Sequence, residues 1–219
     1  MSKIARGLLS MGNRKLGPSI HTWSLEAQKT CPGSTPLCRT HCFAKRGKFL
    51  FKHVREKLAW NWEQAKRPDF VERMTREIRR KGVLACRIHP SGDFATVEYA
   101  RKWLEVMRQS PRTKFWAYTR SYLIPEFSEI LEKMAGLSNF KLWYSIDDDT
   151  GMPDLIPPGV RLAYMQVDTD RMENADLVFR IQRLRKEKPR FRLPMICPDE
   201  TPRGRSRETN CGFCQHCFR

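Results

Sequence analysis

No run of apolar residues in this sequence comes near the roughly 18 that a bilayer-spanning helix requires. The opening MSKIARGLLSMG holds too short an apolar stretch to read as a secretory signal. Internal repeats and low-complexity tracts are also missing. These absences point to a protein that stays in a reducing cytosol and has no membrane partner. Acidic residues are the other shortage. Asp and Glu number 24 against 41 Lys and Arg, giving a formal charge of +17 and a pI near 9.9. Such an excess suits a polyanion such as nucleic acid, and equally a solubilising basic surface, so charge alone does not choose between them.

What is present is enough for one well-buried domain, or one domain with a small appendage: 219 residues, 40% of them hydrophobic. Eight cysteines stand out. In a reducing compartment disulfides rarely persist, and clustered cysteines read first as metal ligands.

The hydrophobic pattern alternates between strand and helix periods. Residues 19–26 (SIHTWSLE), 83–88 (VLACRI), 114–118 (KFWAY), 140–146 (FKLWYSI), 161–167 (RLAYMQV) and 190–196 (RFRLPMI) read as six strands. Helices are expected over 51–66, from 68 to the stop at Gly82, and over 96–109, 125–135 and 174–186. In the last, Leu177, Val178, Ile181 and Leu184 would point inward. The stretch from 147 to 160 has three prolines and little room for a crossover helix. Alternation of this kind argues for an α/β fold with a mainly parallel sheet, and six strands for an open or partial barrel.

In parallel folds, ligands bind beyond the C-terminal ends of the strands. Here each strand leads into a polar segment: the Cys31 loop, His89–Phe94 (HPSGDF), Thr119-Arg120-Ser121, Asp147-Asp148-Asp149, Asp168-Thr169-Asp170, and Cys197-Pro198-Asp199-Glu200. Any one of these is an ordinary turn or cap, with Asp93 and Asp170 as good examples. Six on one rim make a site.

Cys31, Cys38 and Cys42 follow a C-x6-C-x3-C spacing in a Pro/Gly-rich loop. Three thiolates without a fourth suit an iron–sulfur cluster with one open iron, while His41 as a fourth ligand would make a structural zinc site. Cys211, Cys214 and Cys217 form a C-x2-C-x2-C run, and thirteen residues separate it from Cys197, which precedes a proline. This resembles ferredoxin-type ligation more than a zinc ribbon, with His216 as a substitute ligand. Cys86, inside an apolar strand, reads as core.

The cysteine triad after the first strand, Phe43 after its last cysteine and the α/β repeats resemble the radical S-adenosylmethionine superfamily. That resemblance implies a six-stranded partial parallel α/β barrel over 1–196, with the cysteine loop 31–42, and a cysteine-rich extension over 197–219. It implies a 4Fe–4S cluster on Cys31, Cys38 and Cys42, a second on Cys197, Cys211, Cys214 and Cys217, and Ser91-Gly92-Asp93 against the S-adenosylmethionine amino group. Arg120, Ser121, Ser145 and Asp147 would be further cofactor or substrate contacts. More closely, NRKLGPSI, the CPG…C…CFA loop, SGDF, YTRS and the terminal cysteine run resemble an uncharacterised phage family, the gene product 88 domain, which implies a phage-encoded protein in the host cytoplasm.

Three functions follow as expectations. The first is a radical S-adenosylmethionine-like enzyme on a nucleic acid or nucleotide, fed by an electron donor. The second is a non-catalytic nucleic-acid-binding protein with zinc sites, in which Phe43, Trp60, Trp62 and Phe218 stack bases. The third is a cluster-bearing electron carrier or redox sensor.

Overall fold

The strands carry apolar side chains at both odd and even positions, so each must be covered on two faces. The computed structural model, which describes residues 7–168, 174–186, 195–201 and 209–219, shows how this is met. Seven strands form one sheet in chain order: β1 (Ser10–Met11), β2 (Ile20–Trp23), β3 (Ala85–Ile88), β4 (Lys114–Thr119), β5 (Phe140–Ile146), β6 (Arg161–Gln166) and β7 (Leu177–Arg180). β1 runs antiparallel to β2, and every later pair of neighbours is parallel.

The expected six-stranded parallel barrel is therefore corrected. Among the described residues the sheet is mixed and seven-stranded, and it is open, with β1 at one end and β7, flanked by the single bridge at Ile196, at the other. The physical reason lies on the face where a barrel would keep its interior. Leu16, Ile20, Ala85, Trp116 and Phe218 form one buried cluster there, and Trp143, Ala163, Leu177 and Cys197 another. The C-terminal residues cover that face directly. Phe218 stacks on Trp116 with ring centroids 4.6 Å apart, and Trp143 Nε1 donates to Cys217 O at 3.0 Å. The backbone N–H groups of Cys211 and Gly212 bond to Lys15 O and Leu16 O.

The opposite face carries the helices and the main core. After a short helix α1 (Pro36–His41) come α2 (Lys52–Lys66), α3 (Phe70–Lys81), α4 (Val97–Arg108) and α5 (Ser128–Ala135), while a final turn α6 (Cys211–Cys214) belongs to the C-terminal cover of the other face. Thr96 caps α4 by accepting from Tyr99 N, and α3 ends at Gly82, whose φ of 58° is the left-handed conformation that glycine adopts without a Cβ clash. Cys86 and Ile88 of β3, Phe115 and Ala117 of β4, and Leu142 and Tyr144 of β5 meet Met74, Trp103, Leu104 and Leu131 from the helices. Cys86 is the fully buried core residue its apolar strand implies.

One element changes type. The helix expected over 174–186 is replaced by β7 and a 3-10 turn at Leu184–Lys186. Leu177 packs on one face of the sheet and Val178 on the other, which a strand allows and an amphipathic helix does not. The strand expected over 190–196 falls mostly outside the described residues; Ile196 makes a parallel bridge with Val178. No helix among the described residues is long and apolar enough to cross a membrane.

Candidate nucleic-acid interface and the strand-end cluster

Because β2 to β5 run parallel in register, the segments after them meet at one rim. Ser91 is buried and donates from Oγ to Leu25 O. Gly92, with φ 82°, lies so close to Leu25 and Thr30 that a Cβ would come within 2.6 Å of Leu25 Cβ. Asp93 is buried. Its Oδ1 accepts from Phe94 N at 2.7 Å and Thr119 Oγ1 at 2.6 Å, and its Oδ2 from Arg120 N at 2.8 Å. Burial outweighs those bonds and lifts its pKa to about 6. Ser121 donates from Oγ to Phe94 O, and Ser145 is held through its carbonyl, which accepts from Tyr122 Oη at 3.4 Å.

Arg120 and Asp147 form a buried ion pair at 2.7 Å. Asp147 Oδ1 also accepts from the backbone N–H of Asp149 and Thr150, and its Oδ2 from Thr35 Oγ1 at 3.1 Å. Asp149 accepts from Leu37 N at 2.7 Å, in the first turn of α1, where a carboxylate is favoured by the free N–H groups. The predicted contacts of the rim thus spend their bonding capacity on one another and on the cysteine loop. Gly33 completes the dock: a Cβ there would lie 2.0 Å from Arg120 O. Asp168 is described, whereas Thr169 and Asp170 lie outside the described residues.

Cys31, Cys38 and Cys42 lie beside the rim, and Cys197, Cys211, Cys214 and Cys217 lie under the other face. Their chemistry does not follow the prediction. Among the described residues no group of three or more His, Cys, Asp and Glu side chains is placed to hold a metal ion. That finding, with the open mixed sheet, overturns the iron–sulfur clusters, the zinc alternative, S-adenosylmethionine as cofactor, the radical enzyme and the cluster-bearing carrier. Burial, reinforced by Asp93, pushes Cys31 up to about 12, and burial raises Cys38. Burial pushes Cys197 to about 12 and Cys211 to about 11, and raises Cys217. Gln28 N donates to Cys31 Sγ at 3.4 Å. All eight cysteines are free of disulfides.

A feature that spacing arguments passed over lies just beyond the cysteine loop. From Ala27 to Arg55 the chain has no acidic residue. Arg39, Lys45, Arg46, Lys48, Lys52 and Arg55 are all exposed there, and none belongs to an ion pair among the described residues. Phe43, Leu50 and Phe51 are 58%, 59% and 52% exposed in the same stretch. The charge pattern is readable in the sequence, as a run of 29 residues without Asp or Glu. Of the other aromatic residues expected to stack bases, Phe218 is buried on Trp116. Trp62 packs edge-on to Tyr99 with a centroid distance of 5.8 Å, and Trp60 lies under Lys57 Nζ at 4.1 Å.

A family profile described as Gene product 88 matches residues 4–219. The Gene 88 protein of Mycobacterium phage L5 is 31% identical over 153 residues, covering 64% of this chain and 62% of the relative. That of Mycobacterium phage D29 is 30% identical over 131 residues, covering 55% and 53%. The chain therefore spans about six tenths of the first relative's length and about half of the second's. No solved structure matches. With a match that runs over nearly the whole chain, the protein belongs to the gene product 88 family.

Proposed function

We propose that this protein binds single-stranded nucleic acid through the basic segment between the cysteine loop and the first turns of α2, acting in the cytoplasm of a phage's host. The observation that carries the reading is the company of six exposed cations, in no ion pair among the described residues, with exposed Phe43 and Phe51 and no acid between Ala27 and Arg55. Cations neutralise phosphates and release counterions, and aromatic faces stack on unpaired bases without regard to sequence. The rim supports the same surface from behind. Arg120, Asp147 and Asp149 grip the start of α1, and the basic stretch follows directly from its end. In this reading Asp93, Arg120 and Asp147 position the loop and do not touch the ligand.

Fluorescence anisotropy with a labelled single-stranded oligonucleotide over a range of salt tests the proposal. The affinity should fall steeply with salt, and replacing Lys45, Arg46 and Lys48 together by alanine should lower the slope of log K against log salt by about 2, at roughly 0.7 per lost phosphate contact. Salt-independent binding, or an unchanged slope in the triple variant, would refute it.

A further inference from the structure

Between β1 and the start of α2 lies a groove of about 530 Å³, within the range of sites that enclose small molecules. Lys48, Phe49, His53, Lys57 and Asn61 line it from the helical side. Lys48 and His53 are exposed and Phe49 is half-buried, its ring edge-on to Phe43 at 5.7 Å. Asn61 is 2% exposed and only half satisfied. Its Nδ2 donates to Ser24 O at 2.8 Å, while its Oδ1 has no hydrogen-bond partner. Ser24 and Asn61 both line the groove. A buried carboxamide oxygen left unbonded costs about 1–3 kcal/mol, which a donor that enters the groove and draws the Asn61 side chain towards it would recover.

We infer that this groove is a nucleobase subsite, in which Asn61 Oδ1 accepts a hydrogen bond from an N–H of one unpaired base, Phe49 stacks on its face, and Lys48 and His53 hold the adjoining phosphate. The inference rests on the nucleic-acid reading above and deepens it. The orphan group is an acceptor, so it selects a donor-bearing ring and rejects a phosphate, which only accepts. Lys48, His53 and the aromatic ring at the same groove supply the other two contacts that a nucleotide needs and a simple anion does not. Glu56 is the one acid in the lining, and it bars a second phosphate beside the first. Lys57 is already engaged, donating to Gly7 O at 2.6 Å, and burial brings its pKa down to about 8, so it serves as wall more than as phosphate ligand.

The test compares two single-stranded oligonucleotides of equal length and charge, one of mixed sequence and one entirely abasic, with binding followed by anisotropy. The base-bearing strand should bind at least about tenfold tighter, a difference of about 1.4 kcal/mol. Phe49→Ala and Asn61→Leu should each erase most of that difference while leaving abasic binding unchanged. Should Asn61→Leu fail to fold for want of the bond to Ser24, Phe49→Ala decides alone. Equal affinity for the two strands would overturn the base subsite and leave the phosphate-binding surface standing. A preference that survives in the folded variants would place the subsite elsewhere and overturn it here. Binding of neither strand would overturn both readings.

Discussion

Two buried groups set opposite pH dependences. Asp93 loses its proton near 3.8 when unfolded and near 6 when folded, chiefly because burial penalises the carboxylate. The folded state therefore holds the extra proton in that window, and the stabilisation, full below 3.8, is lost as pH rises to about 6. His89, buried, has its pKa lowered from 6.5 to about 3. Its contribution is present above 6.5 and is lost as pH falls towards 3. Between pH 4 and 6 the two slopes offset one another. Asp93→Asn should uncover the His89 slope, so that stability by urea unfolding rises with pH by about 1.4 kcal/mol per unit more than in the unaltered protein. An identical slope in both would show that Asp93 is ionised throughout. Burial keeps His89 neutral, and Tyr99 sets which of its ring nitrogens accepts a hydrogen bond. The Tyr99 hydroxyl accepts from Trp23 Nε1 at 2.7 Å and Trp103 Nε1 at 2.8 Å, leaving its own proton for His89 Nε2 at 2.8 Å. Tyr99→Phe strands three buried groups and should cost about 3 kcal/mol or more, read from the same unfolding curves.

At the level of elements, the cysteine loop and the rim stand or fall together. Gly33→Ala places a methyl against Arg120 O, a backbone atom that cannot move aside cheaply. The variant should keep the sheet but loosen α1, seen as faster amide exchange over residues 31–42 with β3 to β5 unchanged. Exchange unaltered at the loop would show that the contact is not what docks it. Most elements were legible because their apolar spacing has only one solution. β5 and α4 lie where their patterns place them, with Thr96 and Gly82 marking helix ends as expected. β7 was not legible. Leu177, Val178, Ile181 and Leu184 satisfy a helical stripe, and only the second apolar face offered by Cys197 and Trp143 makes the strand better. The rim was legible because parallel strands must end together. The error over metals came from reading thiol spacing as thiol geometry. Spacing in sequence does not report whether the thiols of one run gather around a common point, and among the described residues they are not placed to hold a metal ion.

Across the whole molecule, the sheet separates two tasks. Its helical face holds the main core. Its other face is sealed by the C-terminal residues, where Phe218→Ala should cost about 3–5 kcal/mol by leaving a cavity over Trp116. That leaves the net charge of +17 to the surface, and its acid-free stretch gathers it between the cysteine loop and α2. The most direct measurement of the account's central claim is hydrogen–deuterium exchange of the intact protein with and without a saturating single-stranded oligonucleotide at low salt. The account predicts that protection appears over residues 39–61 and leaves α3 to α5 untouched. Protection confined to α3, α4 or the C-terminal residues, with 39–61 unchanged, would contradict it.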